Sequence, residues 1–153
     1  MIDYSVLLKN CSEIVNNYSY NKTLALDKVC SLLKEKIDFY DWVGFYFFDK
    51  KRKILVLSSF SGKPTEHTEI PFGKGICGQV AKTAKSLIIK DVSKEKNYIS
   101  CDIEVKSEIV VPIFVNDCNI GQIDVDSRKI NAFDKKDEIF LTQINELISK
   151  NLF

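Results

Sequence analysis

The residue Cys77 lies in a setting that could activate a thiol. It occurs in "PFGKGICGQVAKT", where the glycines are followed by a pattern that predicts a short helix over 77–84. The first turn of a helix carries roughly half a positive charge, which favours thiolate over thiol, and Lys74 is close in sequence. The alternative is that Cys77 is a small residue tucked beneath the turn, and the loop alone leaves both open.

Cys101 is the second candidate nucleophile. It follows "KNYIS" and precedes Asp102 in a polar, irregular stretch over 92–106. Long polar loops more often carry function than regular elements do, and a cysteine there is less expected as core filler than Cys30, which lies in an apolar helical pattern.

Acidic residues cluster shortly after Cys101. Glu108 begins one predicted strand, and Asp124 and Asp126 alternate along the next. Side chains at i and i+2 of a strand share a face, so the two aspartates point one way and Ile123 and Val125 point into the core. Like charges repel, so the acidic face should meet a cation or be widely solvated. A merely solvated face is the alternative.

The segment "DWVGFYFFD" is apolar on both faces of a predicted strand. Trp42 and Tyr46 share one face, and Phe45 and Phe47 share the other. This pattern indicates a central strand covered on both sides, or one face lining a pocket. Trp42 and Tyr46 each have a polar tip, which suits a small-ligand pocket, although the pattern alone favours core packing.

The remaining periodicities predict a single α+β domain over 1–153. Helices are expected over 4–18 and 23–37, and a third follows Asp134 as N-cap with Asp137 in its first turn. A first hairpin is expected to pair 41–49 with 53–61. A second is expected to pair 107–115 with 120–127, across a turn at 116–119. A short strand is expected over 86–91, and 62–70 is expected to be a polar loop.

A nucleotide site is the obvious competing hypothesis for the glycine loop. Gly73, Gly75 and Gly78 spell G-x-G-x-x-G, and Asp91 imitates the acidic residue of that fingerprint. However, the segment before the glycines is polar rather than a buried strand, hairpins follow instead of βα units, and Lys74 precedes glycine instead of Ser or Thr. The glycines are therefore expected to serve a sharp turn into the helix.

Composition excludes several further classes. The 153 residues are 45% apolar and 28% charged with a net charge of +1, so we expect a globular protein that binds neither nucleic acid nor membranes. The N-terminus has no secretory signal, which suggests a cytoplasmic protein. Five cysteines and one histidine, His67, favour neither a disulfide framework nor zinc ligation, so no metal and no cofactor are expected.

Five segments together resemble one known family. In this order, "DWVGFYFFD", "IPFGKGICGQVAKT", "SCD", "KSEIVVPI" and "IGQIDVDS" are similar to the free methionine-(R)-sulfoxide reductases, a family of stand-alone GAF domains. The resemblance implies an antiparallel sheet flanked by helices and a cytoplasmic enzyme, often a homodimer. It implies reduction of free methionine-(R)-sulfoxide, with a thioredoxin-like protein as the reductant.

The resemblance also implies roles for individual residues. Cys101 matches the family's nucleophile, and Cys77 matches a cysteine that can resolve the oxidised form. The pocket residues that it implies are Trp42, Tyr46, Glu108, Asp124 and Asp126. The family usually has a third cysteine where this chain has His67, so recycling is expected to depend on Cys77.

These roles define a mechanistic hypothesis. Cys101 attacks the sulfoxide sulfur and becomes a sulfenic acid, with Glu108 as the first candidate for the proton donor and Asp126 as the second. Cys77 then forms a disulfide with Cys101. The alternatives are a non-catalytic GAF module that binds a small molecule or senses redox state, and a relative that has lost efficient turnover. Cys11 and Cys30 are expected in the core, and Cys118 is expected to be exposed.

Overall fold

A six-stranded antiparallel sheet organises the molecule, in the order β3-β2-β1-β6-β5-β4. The structure is a computed structural model and describes residues 1–98 and 103–153. Its strands are β1 (Trp42–Asp49), β2 (Ile54–Ser61), β3 (Glu69–Pro71), β4 (Leu87–Ile89), β5 (Ser107–Val115) and β6 (Cys118–Ser127). Its helices are α1 (Tyr4–Asn17), α2 (Lys22–Lys36), α3 (Gly75–Thr83) and α4 (Lys135–Leu152). The predicted α+β class is confirmed. No helix in the described ranges is long and apolar enough to cross a bilayer.

One face of the sheet packs against α2 and α4, and α1 packs on these two helices. The side chains that β1 and β6 send to this face, among them Phe45, Ile123 and Val125, are fully buried in the larger core. Cys11 and Cys30 are also fully buried there, as expected. Asp134 caps α4 and forms a reciprocal capping box with Asp137, which confirms the predicted start of that helix.

The other face of the sheet is covered by α3 and by loops. Trp42 and Tyr46 point to this side and belong to a second buried cluster with Cys77. The central position of β1 in the sheet, with a core on each side, explains why both of its faces are apolar in the sequence. This second side of the sheet holds the predicted site residues.

Three local features differ from the sequence predictions. Helix α3 begins at Gly75, two residues before Cys77. The predicted polar loop contains the short strand β3, which pairs with β2 at the edge of the sheet. Strand β6 begins at Cys118, because Asn116 (φ 49°) and Asp117 (φ 63°) form a tight two-residue hairpin turn. Cys118 is exposed, as expected.

Candidate active site

The glycine loop makes a compact turn into α3. Gly73 (φ 86°) and Gly75 (φ 64°) adopt left-handed backbone conformations that favour glycine. The Gly73 N–H donates to the Gly78 carbonyl at 2.7 Å, and the Lys74 N–H donates to the Pro71 carbonyl at 3.1 Å. The predicted turn is confirmed. The strand that leads into the loop is the short antiparallel edge strand β3, unlike the buried parallel strand that begins a dinucleotide-binding fold.

Cys77 is the third residue of α3 and is buried over the sheet. Its Sγ lies 3.8 Å from Glu108 Oε1. Burial raises the pKa of the Cys77 thiol well above its ordinary value, and Asp124, Glu108 and Asp126 raise it further. The expectation that the helix N-terminus and Lys74 favour a Cys77 thiolate was wrong. Lys74 is exposed, whereas the buried thiol faces carboxyl groups.

The three predicted acidic residues converge beneath α3. Asp126 lies between Trp42 on β1 and Glu108 on β5, and Asp124 is its neighbour two residues earlier on the same face of β6. Side chains of directly paired residues stand about 4.5–5.5 Å apart at Cβ. The exposed fraction is 2% for Asp124, 2% for Asp126 and 5% for Glu108. The alternative of a widely solvated acidic face was therefore wrong, because α3 covers it.

Asp124 has unusual electrostatics for a carboxyl group. Burial raises its pKa, and hydrogen bonds with Glu108 and Cys77 offset part of that increase. Its Oδ1 is buried and has no hydrogen-bond partner. A buried polar atom in this state costs free energy, so the cluster is a place where the fold tolerates a local penalty.

A small cavity lies among these side chains. Cys77, Glu108, Asp124 and Asp126 line it, together with His67 from the loop before β3. Its volume is about 10 Å³, close to the space that one water molecule needs. The structure therefore brings four predicted site residues to one cavity and places His67 at its wall.

Trp42 and Tyr46 hold the loop between β2 and β3 against the sheet. The Trp42 Nε1–H donates to the Lys63 carbonyl at 3.0 Å, and its ring stacks on Phe60 with the centroids 5.8 Å apart. The Tyr46 hydroxyl donates to the His67 carbonyl at 2.9 Å. The polar tips noted in the sequence thus bond to backbone and help to position His67 at the cavity.

The comparisons with known proteins agree on the family. The GAF domain pattern matches residues 24–152. GAF domain-containing protein A of Dictyostelium discoideum is 44% identical over 128 residues, 84% of this chain and 79% of that protein. Free methionine-R-sulfoxide reductase of Escherichia coli is 35% identical over 134 residues, 88% of this chain and 78% of the enzyme. A solved free methionine-R-sulfoxide reductase from Neisseria meningitidis, in complex with its substrate, superposes with a TM-score of 0.92 and 32% identity, covering 97% of this chain and 87% of that one.

The chain belongs to the free methionine-(R)-sulfoxide reductase family of GAF domains. The resemblance based on the five sequence segments is confirmed, and so is the antiparallel sheet flanked by helices. The roles that the resemblance implies for individual residues stay predictions.

The family's nucleophile position, Cys101, lies outside the described residues, as does Asp102. The chain on either side is well anchored. Asn97 bonds to the glycine loop, with its Nδ2 donating to the Gly73 carbonyl at 2.9 Å and its Oδ1 accepting from the Gly75 N–H at 3.0 Å. Glu104 forms an ion pair with Arg128 at 3.1 Å.

Sequence reasoning missed three residues that lie on this side of the sheet or hold the glycine loop in place. Asn97 gave no signal beyond being polar in a loop. Gly44 leaves room for the Trp42 ring, because a Cβ there would overlap the indole. A glycine in the middle of a strand is a signal of such close approach. Gln122 is buried on the same face as Asp124, and its spacing of two residues could have identified it.

Proposed function

We propose that this protein reduces free methionine-(R)-sulfoxide to methionine. The observation that carries the proposal is the buried cluster of Cys77, Glu108, Asp124 and Asp126, the residues to which the resemblance assigns site roles. The fold around it matches that of a Neisseria meningitidis enzyme whose structure contains its substrate. A thiol beside crowded carboxyl groups provides the elements of thiol-based reduction with proton donation.

Cys101 is the proposed nucleophile. Its thiolate attacks the sulfoxide sulfur, and the oxygen moves to Cys101, so that methionine leaves and a sulfenic acid forms. Asn97 and Val105, each four residues away, are tied to the glycine loop and to the buried cluster of Cys77. Four extended residues reach at most about 14 Å, so the chain length between these two anchors allows Cys101 to reach the cavity.

Glu108 is the proposed proton donor. The departing oxygen must be protonated, and Glu108 shares a hydrogen bond with Asp124. Two carboxyl groups can form such a bond only if one of them carries a proton. The hydrogen bond with Glu108 lowers the pKa of Asp124, against the effect of burial, so it favours an ionised Asp124 that accepts a proton from Glu108. This supports Glu108 as the acid, with Asp126 as the second candidate.

The remaining carboxylates are proposed to bind the ammonium group of the substrate. Asp124 and Asp126 are buried, and a bound cation would compensate their charge. Trp42, paired with Asp126, is proposed to contact the S-methyl group, and Tyr46 is proposed to bound the pocket once it has opened. The cavity is smaller than an amino acid, so binding requires its wall to move outward.

Cys77 is proposed to regenerate Cys101. Its thiol condenses with the sulfenic acid, forming a disulfide and releasing water, and a thioredoxin-like dithiol then reduces the disulfide. Burial and the raised pKa make Cys77 a poor free nucleophile at neutral pH, so its proton is expected to leave with the sulfenic oxygen as water. His67, at the position of a common family cysteine, supplies no second thiol.

A coupled assay tests the proposal. It uses the R and S epimers of free methionine sulfoxide and the N-acetylated R epimer, with thioredoxin, its reductase and NADPH. We expect turnover of the free R epimer alone, no turnover in Cys101→Ser, and a single turnover followed by stalling in Cys77→Ser. Cys118→Ser is the matched control, because Cys118 is exposed on β6 and should retain full activity.

Two results would contradict parts of this scheme. Full activity of Cys101→Ser would reject the nucleophile, and sustained turnover of Cys77→Ser would reject its resolving role. Binding of the free R epimer without any turnover would instead identify a non-catalytic GAF module.

A further inference from the structure

Three buried side chains of the candidate active site present atoms suited to a metal ion. Cys77 Sγ, a Glu108 carboxyl oxygen and an Asp124 carboxyl oxygen all lie within 4.8 Å of one another. The distance from Cys77 Sγ to Glu108 Oε1 is 3.8 Å. In a tetrahedral zinc site, neighbouring sulfur and oxygen ligands stand about 3.3–3.8 Å apart. Shifts of about 1 Å or less therefore convert this cluster into such a site.

Asp124 supplies a second, independent observation. Its side chain is 2% exposed and lines the cavity, and its Oδ1 has no hydrogen-bond partner. A buried carboxyl oxygen without a donor is costly, and a cation is the alternative form of compensation. This oxygen is therefore open to an ion, and bonds to the ion would replace the present hydrogen bonds among Asp124, Glu108 and Cys77.

The cavity offers the space that such an ion requires. It is lined by all three ligand residues, and its volume of about 10 Å³ accepts an object the size of one water molecule. The residues come from α3, β5 and β6, which are regular elements packed against one another. Ligands on rigid elements hold their geometry better than ligands on loops.

We propose that the reduced protein binds one Zn²⁺ through Cys77, Glu108 and Asp124, with a water molecule as the fourth ligand. The thiolate selects Zn²⁺ over Mg²⁺ and Ca²⁺, which prefer all-oxygen sites. His67 lines the same cavity but lies outside the set of atoms within 4.8 Å, so it is not assigned as a ligand. Zinc binding does not depend on the proposed reductase activity.

Protons must leave when the ion binds. Zinc takes the thiolate and ionised carboxylates, so the Cys77 proton and any proton shared by the two carboxyl groups are released. Binding is therefore expected to tighten as pH rises. If the proposed function is correct, bound Zn²⁺ also blocks turnover, because it occupies groups assigned to proton donation, substrate binding and resolution.

The direct test is metal binding by the metal-free protein, reduced with a phosphine that does not bind zinc. Zinc affinity is measured by competition with a chromophoric chelator, and Co²⁺ serves as an optical reporter. The assay uses a Cys101→Ser background to remove that thiol. We expect one Zn²⁺ per chain and a thiolate-to-cobalt charge-transfer band. Cys77→Ser should lose at least about 100-fold in affinity, together with the band, since even outer-shell changes cost 10–100-fold.

Two further variants complete the design. Asp124→Asn, which preserves shape, should weaken zinc binding at least about tenfold. Cys118→Ser removes an exposed thiol at the start of β6, six residues before Asp124, and should leave the affinity unchanged. Circular dichroism of each variant establishes that it is folded. Retained affinity in folded Cys77→Ser, loss of binding in the Cys101→Ser background alone, or an equal preference for Mg²⁺ would overturn the proposal.

Discussion

The two faces of the sheet bury acidic residues in opposite ways. On the helical face, Asp137 accepts hydrogen bonds from the Tyr4 hydroxyl at 2.8 Å, the Tyr40 hydroxyl at 2.9 Å and the Asp134 N–H at 3.0 Å. On the face beneath α3, Asp124 lies among other carboxyl groups and a thiol, and one of its oxygens has no partner. Both aspartates are 2% exposed, so burial alone does not distinguish them.

The difference lies in what surrounds each carboxyl group. Donors surround Asp137, so its burial ties α1 and the segment just before β1 to the start of α4 and supports the fold. Acceptors and weak donors surround Asp124, so its burial raises its pKa and leaves capacity for a proton, an ammonium group or a metal ion. Hydrogen-bond satisfaction, more than burial, therefore separates a structural carboxyl group from a chemically useful one.

The largest expected effect on stability comes from the helical face. Asp137→Ala leaves two tyrosine hydroxyls and a backbone N–H without their acceptor, so we expect a loss of about 3 kcal/mol in the free energy of unfolding. Urea denaturation measures it. Tyr4→Phe, which removes one of the three donors, is the control and should cost about 1 kcal/mol. A loss below about 1 kcal/mol for Asp137→Ala would contradict the structural role assigned to this carboxyl group.

A smaller effect is expected at Asp124, and it depends on pH. The pKa of Asp124 is raised in the folded protein above its ordinary 3.8, so folding favours its protonated form. The contribution of Asp124 to the free energy of unfolding is therefore fully present below pH 3.8. It is lost as the pH rises through the higher pKa that this carboxyl group has in the folded protein. Asp124→Asn removes this titration and should stay within about 1 kcal/mol of the parent protein at neutral pH.

Urea denaturation across a pH series checks this expectation. The difference in unfolding free energy between Asp124→Asn and the parent protein should shift in favour of the variant as pH rises through that window. Parallel pH profiles for the two proteins would show that the Asp124 carboxyl group has the same pKa folded and unfolded.

The smallest expected effect concerns thiol reactivity. Burial alone raises the pKa of Cys11, to about 12. The pKa of Cys77 is raised by burial and, in addition, by the neighbouring carboxyl groups. Asp124→Asn should therefore increase iodoacetamide labelling of Cys77 a few-fold and leave Cys11 and Cys30 unchanged. Peptide mass spectrometry resolves each site. An equal change at all three cysteines would indicate general loosening rather than a local electrostatic effect.

Much of the candidate site could be predicted from local pattern. Strand alternation placed Asp124 and Asp126 on one face, and the glycines before Cys77 predicted a turn into a helix. The direction of the Cys77 pKa could not be predicted, because it depends on Glu108 and Asp124, which are 31 or more residues away in the chain. The hydrogen bonds of Asn97 to the glycine loop could not be predicted for the same reason, since they join residues 22 and 24 positions apart in the chain.

The sequence alone indicates where the helices and strands lie and which reactive side chains they carry. It can do so because hydrophobic periodicity and turn residues are signals that extend over only a few neighbouring positions. The tertiary structure decided which of those residues meet. Only the packing of α3 over β5 and β6 turns an acidic face, which strand alternation alone leaves open to solvent, into a buried cluster that includes a thiol. The physical reason is that desolvation and close contact between charges depend on distances across the fold, which local sequence does not encode.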